Sequence, residues 1–152
     1  MNPTVYLAGS LFTTAERRWN EWLADALKKR GLQIILPQRE VADCISASGV
    51  DHERIFNKCL EELNRANAVL AIFDGCDVDS GTAFECGYAY ARQIPIVGLR
   101  TDMRPGGEDD GVNTMLRRCC TDFVAVSADE NPDQLVAELL LKAVRRPGTD
   151  DL

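Results

Sequence analysis

Short apolar runs alternate with segments of helical periodicity along this chain, and this alternation limits the possible folds more than any other feature. Each run has the length of a buried strand and is bounded by glycine, proline or polar residues. In a chain of 152 residues, the pattern is expected from one domain with a single core region. The five runs predicted as strands are residues 4–8, 32–36, 68–73, 94–99 and 123–126.

The segments between these runs carry apolar residues at three- and four-residue spacing, which predicts helices. The first helix begins near Thr14 and ends before Gly31, which we expect in the C′ position. Asp51 is expected to cap the second helix. Further helices are predicted over residues 83–91, 112–118 and 132–144, whereas loops are expected over residues 38–50 and 100–111.

Strands and helices in this order predict a parallel sheet with helices on both faces, which is a three-layer α/β sandwich of the flavodoxin-like or Rossmann-like type. For five strands the expected order is 2-1-3-4-5, with the switch point between strands one and three. Ligands bind such sheets at the carboxyl ends of these strands, here residues 9–12 and 74–79. We expect a single domain over residues 1–145, followed by a polar tail over 146–152.

Charge and cysteine content exclude several classes of function. A net charge of −7 argues against binding to nucleic acid, which requires basic patches. No apolar stretch approaches the roughly 20 residues that span a bilayer, and the N-terminus lacks the pattern of a secretion signal. The six cysteines form no C-x-x-C pair, and the single histidine has no metal-ligand spacing to them. We therefore expect a cytoplasmic protein with reduced cysteines, no metal and no membrane partner.

Acidic residues gather where the third predicted strand passes into the helix that follows it. Asp74 and Asp79 lie in the connecting loop, and Glu85 lies near the start of the helix, where the helix dipole favours a carboxylate. An ionised carboxylate beside a second carboxyl group can attack an anomeric carbon, with the two groups roughly 5 Å apart in a retaining arrangement. The sequence therefore predicts a glycosyl-transferring site at this edge of the sheet.

Four segments of the sequence resemble motifs of the nucleoside 2-deoxyribosyltransferase family. Their order and spacing also resemble those of the family, and together they extend over the chain to about residue 126. The segments are residues 5–12 (VYLAGSLF) with 14–20 (TAERRWN), 77–89 (DVDSGTAFECGYA), 98–104 (GLRTDMR) and 111–115 (GVNTM).

This resemblance implies the exchange of one base for another on a 2′-deoxynucleoside, without a cofactor. Glu85 matches the family nucleophile, Asp79 a second active-site aspartate, and Tyr6 a tyrosine that restrains the nucleophile. Phe12 matches an aromatic residue of the base pocket, and Asn113 an asparagine supplied by a neighbouring subunit, which implies a homo-oligomer. Three further residues are expected to contact the substrate, a 2′-deoxynucleoside or a free base: Gly9, Asp74 and Ser80.

The sequence departs from the family pattern at two positions. Asn67 stands where relatives carry an aspartate that serves the leaving base, and Ser10 stands where a proline is common. An amide can hydrogen-bond a base but cannot deliver a proton, so proton delivery would pass to Asp79 or to water. We therefore expect Asn67 to contact the substrate without acting as an acid.

The same residues also have structural explanations. Glu85 is compatible with a charge placed only by the helix dipole, and Tyr6 with a core aromatic whose hydroxyl is hydrogen-bonded. Asp74 and Asp77 are compatible with turn formation. Asn113 is equally compatible with an N-cap.

Two other functions remain compatible with the sequence. An N-glycosidase of 2′-deoxynucleoside 5′-monophosphates would use the same glutamate, but a phosphate site should show glycines and basic residues directly after the first strand. Residues 11–14 (LFTT) occupy that position, and Arg17 and Arg18 follow only in the helix. A nucleotide-sensing domain without chemistry is the second alternative, and the presence of both Glu85 and Asp79 argues against it.

Overall fold

A parallel sheet of five strands forms the centre of the chain in the computed structural model, which describes residues 2–104, 106–127 and 130–145. Helices separate all the sheet strands along the chain. The elements are β1 (Thr4–Ala8), α1 (Thr14–Lys29), β2 (Gln33–Ile35), α2 (Pro37–Glu40), β3 (Ile45–Ser46), β4 (Gly49–Val50), α3 (His52–Arg65), β5 (Ala68–Ile72), α4 (Ser80–Ala91), β6 (Ile96–Arg100), α5 (Thr114–Cys119), β7 (Asp122–Ala125) and α6 (Asp133–Arg145).

The order of the strands in the sheet is β2-β1-β5-β6-β7, and all neighbouring strands are parallel. Because β3 and β4 form a separate antiparallel hairpin, this order is the predicted 2-1-3-4-5. Tyr6 of β1 pairs with Ile35 on one side and with Val69 on the other. The predicted α/β architecture is confirmed, and the switch point lies between β1 and β5.

Alternate residues of each strand contribute to two cores, one on each face of the sheet. Val5 and Leu7 pack on the face covered by α1 and α6. Tyr6 and Ala8 pack on the opposite face, together with Cys86 of α4 and Leu63 of α3. This alternation follows from the two-residue period of a strand. It directs the Tyr6 side chain towards the helix that carries Glu85.

Side-chain caps define where the helices begin. Thr13 and Glu16 form a reciprocal capping box at the start of α1. Asp51 accepts a hydrogen bond from the Arg54 backbone N–H, so the predicted cap of α3 is confirmed. Gly31 has a φ of 87° directly after the C-cap of α1, which is the left-handed conformation expected at C′.

The predicted loop over residues 38–50 is wrong, because this segment is structured. Pro37 occupies the first turn of α2, where its missing N–H costs no hydrogen bond. A 3₁₀ turn over Ala42–Cys44 and the β3–β4 hairpin follow. These elements are too short to show a hydrophobic period, so their polar composition indicated a loop.

The predicted polar tail, residues 146–152, lies outside the described residues. Within the ranges that are described, no helix combines the length and the apolar character needed to cross a bilayer.

Candidate active site

An open cleft of about 360 Å³ lies at the carboxyl ends of β1, β5 and β6, where the topology predicts a ligand site. Its walls are formed by the loops after these three strands and by the first turns of α1. The residues that line it are Ser10, Glu16, Trp19, Asn20, Ile72, Asp74, Gly75, Asp79, Thr101, Asp102 and Arg104.

Tyr6 and Glu85 form a hydrogen-bonded pair on the face of the sheet that α3 and α4 cover. Neither residue is among those that line the cleft. The Tyr6 hydroxyl donates to Oε1 of Glu85 at 2.6 Å, and the Tyr6 side chain is fully buried. Tyr6 is thus a core aromatic whose hydroxyl is hydrogen-bonded to Glu85, as its structural explanation expects, and its role in catalysis stays a prediction. The bond occupies one carboxylate oxygen of Glu85, and the other accepts no hydrogen bond from the described part of the chain.

Burial raises the pKa of Glu85 to about 7. The negative charge of Asp79 also raises it, whereas the hydrogen bond from Tyr6 lowers it. Desolvation and the Glu85 carboxylate together raise the pKa of Tyr6, so the phenol stays protonated and remains a donor. Glu85 is therefore balanced between its charged and neutral forms near neutral pH, as is common for functional carboxyl groups.

Asp79 caps the helix that carries Glu85 and also lines the cleft. Its Oδ2 accepts a hydrogen bond from the backbone N–H of Thr82 at 3.0 Å. A Cβ at Gly81 would lie 3.0 Å from this oxygen, so glycine leaves room for the capping carboxylate. Ser80 is the first residue of α4 and is exposed beside it. Asp79 is thus the N-cap of α4 and Glu85 its sixth residue, and the charge of Asp79 acts on the Glu85 carboxyl group.

Asp74 fixes the shape of the cleft. One of its carboxylate oxygens accepts hydrogen bonds from the backbone N–H groups of Thr101, at 2.6 Å, and Asp102, at 3.0 Å, and the other accepts from the Thr101 hydroxyl. These contacts join the loop after β5 to the loop after β6. Asp77, in contrast, is exposed and accepts from the N–H of Val78, which agrees with a turn former.

Gly9 and Phe12 lie after β1, at the same edge of the sheet. A Cβ at Gly9 would lie 3.2 Å from Cδ1 of Ile72, so the absence of a side chain allows close packing of β1 against the end of β5. The ring of Phe12 is 76% exposed. The structure thus places Phe12 at the rim, with its ring in solvent and outside the cleft lining.

The expectation that Asn67 contacts the substrate is not supported, because Asn67 lies at the other edge of the sheet. It precedes β5, and the strand's five residues span roughly 16 Å from there to the carboxyl end. Its Oδ1 accepts from the Thr4 N–H at 2.8 Å, and its own N–H donates to the Thr4 carbonyl at 2.8 Å. Asn67 therefore aligns the start of β1 and takes no part in the cleft.

Asn113 is exposed and caps α5, where its side chain accepts from the Met115 N–H at 2.9 Å. It does not line the cleft of its own chain. The N-cap explanation is thus confirmed, and a role across a subunit interface stays a prediction.

Several residues at the site were not singled out from the sequence. Glu16 follows Thr13 by three residues, a capping-box spacing, and its carboxylate also accepts from Ser10 and from the Phe12 N–H. Trp19 of α1 also lines the cleft. The thiol of Cys59 in α3 lies next to the Tyr6 hydroxyl, and burial raises its pKa. No local pattern marks this last contact, which arises from the packing of α3.

Negative charge dominates the cleft. Four carboxylates line it, and the one basic side chain among its lining residues, Arg104, is paired with Asp102. The Arg104 guanidinium holds the pKa of Asp102 well below its usual range. A phosphate in this cleft would face uncompensated like charges, whereas a neutral nucleoside would not.

The pKa of Glu85 predicts how the activity should depend on pH. Because the nucleophile must be ionised, activity should rise with pH through about 7. Tyr6→Phe removes a hydrogen bond that lowers the Glu85 pKa, so its rate profile should move to higher pH, together with a fall in rate of roughly 10-fold. Rate profiles of both proteins over pH 5–9 test this. Tyr90→Phe, an exposed phenol on the same helix, should leave the profile unchanged, and an unmoved Tyr6→Phe profile would contradict the assignment.

The chain is similar to known proteins in both sequence and structure. The sequence model described as "Nucleoside 2-deoxyribosyltransferase" matches residues 5–132. A conserved protein from Enterococcus faecalis V583 has a similar structure, with 25% identity, a TM-score of 0.75, and coverage of 93% of this chain and 99% of the other. No curated protein matches the sequence.

Two structures of lower identity share the fold. A 2-deoxyribosyltransferase from Bacillus psychrosaccharolyticus is 21% identical, with a TM-score of 0.68 and coverage of 87% and 89% of the two chains. A CMP N-glycosidase from Clostridium botulinum is 16% identical, with a TM-score of 0.59 and coverage of 91% and 98%. Because the family model extends over most of the chain and includes Tyr6, Asp79 and Glu85, the protein belongs to the nucleoside 2-deoxyribosyltransferase family.

Proposed function

We propose that this protein transfers the 2-deoxyribosyl group of a 2′-deoxynucleoside from one base to another through a covalent intermediate on Glu85. The observation that supports this proposal most strongly is the Tyr6–Glu85 pair, a buried carboxyl group with a pKa of about 7 beside the Asp79 carboxylate. Membership of the family gives the class of reaction, which is chemistry at an N-glycosidic bond.

In the first step, the free carboxylate oxygen of Glu85 attacks C1′ as the bond from C1′ to the base nitrogen breaks. The departing base takes up a proton, for which Asp79 or a water is the donor. An oxocarbenium-like transition state develops positive charge near C1′, which the Glu85 carboxylate stabilises. In the second step an incoming base attacks C1′ and returns its N–H proton to the group that acted as donor, while the ester bond breaks and Glu85 leaves as a carboxylate. Two displacements retain the configuration at C1′.

Tyr6 has a positioning role in this scheme. Its hydrogen bond to Oε1 restricts the carboxylate to one orientation. Because the phenol is fully buried in the sheet, it moves little as the sugar is transferred.

The substrate we infer is an unphosphorylated nucleoside. Its support is the charge of the cleft, where carboxylates outnumber cations and Arg104 is already paired. A 5′-monophosphate N-glycosidase would need a free cation or a ring of N–H donors to hold the phosphate. Arg17 and Arg18 follow the first strand but do not line the cleft.

The deciding experiment is a chromatographic assay with 2′-deoxyinosine, with and without adenine. Formation of 2′-deoxyadenosine is the expected result. Release of hypoxanthine at a rate that adenine does not change would show that the protein hydrolyses the nucleoside and does not transfer the sugar. The same assay with 2′-deoxyinosine 5′-monophosphate would then test the N-glycosidase function. Binding of 2′-deoxyinosine with no product in any tube would favour a domain that binds nucleosides without chemistry.

We further propose a homo-oligomer in which Asn113 of one subunit enters the site of another. Asn113 and Met115 are exposed on α5, and Phe12 is exposed at the cleft rim, which suits surfaces that a second subunit covers. The six free thiols are compatible with a reducing compartment such as the cytoplasm.

Mixing two inactive variants tests the shared site. Glu85→Gln and Asn113→Ala should each be inactive alone, and a co-expressed mixture should regain up to about a quarter of the activity as mixed sites form. Co-expression of Glu85→Gln with Tyr6→Phe, which lies in the same site of the same chain, should give no activity beyond that of Tyr6→Phe itself. The shared site would be contradicted if the first mixture regained no activity, or if sedimentation showed that the wild-type protein is a monomer.

A further inference from the structure

Arg100, the last residue of β6, is buried beneath the cleft with only 4% of its surface exposed. Among the described residues, its guanidinium contacts backbone carbonyls and no carboxylate. Nη1 donates to the carbonyl oxygens of Phe73, at 2.6 Å, and Gly75, at 3.4 Å, and Nη2 donates to that of Arg104 at 2.9 Å. A buried charge normally has an ionised partner, so this arrangement needs an explanation.

Two glycines shape the space around this guanidinium. A Cβ at Gly111 would lie 3.0 Å from Nε of Arg100, and the φ of Gly111 is 79°, which also favours glycine. A Cβ at Gly106 would lie 3.2 Å from Nη2 and 3.0 Å from the Gly111 carbonyl oxygen. The backbone at Gly106 and Gly111 therefore packs tightly against the guanidinium.

The segments that Arg100 joins form one wall of the cleft. Phe73 and Gly75 flank Asp74, in the loop that leads to Asp79 and to the helix of Glu85. Arg104 follows Asp102, whose Oδ2 accepts from the Gly75 N–H at 3.1 Å. The loop that contains Gly106 and Gly111 continues to Asn113. One side chain is thus hydrogen-bonded to two loops and packed against a third segment.

We propose that Arg100 is a positioning residue that sets the geometry of the nucleoside cleft by holding the loops after β5 and β6 together. It does not line the cleft and so does not touch the substrate. Its five N–H donors in a rigid fork match several carbonyls at once, which lysine cannot reproduce. The link to nucleoside binding rests on the proposed function, whereas the ordering of the two loops does not.

Amide hydrogen exchange tests the ordering of the loops without any substrate. Arg100→Met should increase exchange over residues 73–76 and 102–106 and leave the centre of β1 protected. Arg92→Met, at the exposed end of α4, is the matched control and should change neither segment. Unchanged protection of both segments in a folded Arg100→Met protein would overturn the proposal, whatever the protein's activity.

Kinetics then separate positioning from general stability. Arg100→Met should lower kcat/KM by roughly 100-fold, mostly through KM, with Arg100→Lys intermediate. The pH profile should keep its rise near 7, because the groups that shift the Glu85 pKa are Tyr6 and Asp79. Guanidinium ion at millimolar concentration should partly restore Arg100→Ala. A fall in kcat alone, with no restoration and a matching loss of thermal stability, would indicate a purely structural role.

These experiments can disprove the proposed function and the role of Arg100 independently of each other. If the wild-type protein exchanges no base but Arg100→Met changes hydrogen exchange as predicted, the transferase function is disproved. The role of Arg100 in ordering the loops then still holds. Normal base exchange by a folded Arg100→Met protein, with wild-type KM, would disprove the role of Arg100 and retain the transferase.

Discussion

Replacing Glu85 by glutamine should abolish base exchange, with a loss of at least about 10⁴-fold in kcat. The amide keeps an oxygen that can accept the Tyr6 hydroxyl, so the pair survives while the nucleophile is lost. The measurement is the rate of 2′-deoxyadenosine formation from 2′-deoxyinosine and adenine. Denatured wild-type protein quenched during turnover should carry a deoxyribosyl group on the peptide that contains Glu85.

Glu61→Gln is the matched control, because Glu61 is exposed on α3 and lies outside the cleft. It should retain wild-type exchange. Substantial exchange by Glu85→Gln, or a covalent sugar found on a different side chain, would disprove Glu85 as the nucleophile.

The same substitution should change how stability depends on pH. The folded pKa of Glu85, about 7, lies above its usual value of 4.5, so its stabilising contribution is complete below pH 4.5 and is lost as pH rises through 7. At pH 8 the glutamine variant should therefore be more stable than the wild type by up to roughly 3 kcal/mol, a difference that nearly disappears at pH 5. Urea unfolding at both pH values measures it, and a less stable variant at pH 8 would contradict the buried charge.

Asp79 gives the second large effect, because it has two separable roles. Asp79→Asn keeps an oxygen that can cap α4 but removes the charge, and should lower kcat by about 10²-fold to 10³-fold with little loss of stability. Asp79→Ala removes both the capping oxygen and the charge. It should lower kcat as Asp79→Asn does and should also lower the free energy of unfolding by about 1 kcal/mol. Removing the negative charge also lowers the pKa of Glu85, so the rise of the rate profile should move below 7 in both variants.

Asp51 provides a matched control, since it caps α3 by the same kind of hydrogen bond to the backbone N–H of Arg54, 2.9 Å long. Asp51→Ala should cost about the same 1 kcal/mol of stability and leave exchange intact. If Asp51→Ala and Asp79→Ala lose activity equally, the role of Asp79 is capping alone.

The order of the strands could be predicted because it depends on repeated local patterns. Buried parallel strands such as β5 are continuous apolar runs, and α1 carries its period and its cap in sequence. The segment over residues 38–50 was predicted incorrectly for the opposite reason. The two-residue strands β3 and β4 have no period to detect, and they exist because they pair with each other.

The residues of the candidate site also divide into those that sequence patterns predicted and those that they did not. Glu85, Asp79 and Tyr6 were recognised because their motifs keep fixed spacing, and the structure brings the three together. Asn67 was misplaced, because its position before an apolar run does not reveal which edge of the sheet it occupies. Cys59 and Arg100 were missed, because their contacts join residues that are distant along the chain.

By itself, the sequence determined the parallel α/β sheet and the position of Asp79 and Glu85 on the segment after one strand, because spacing along a helix or strand converts directly into direction in space. Only the tertiary structure decided the pKa of Glu85, the hydrogen bond that restrains it and the buried guanidinium beneath the cleft. Burial and contacts between distant segments depend on how whole layers pack, and no local pattern encodes them.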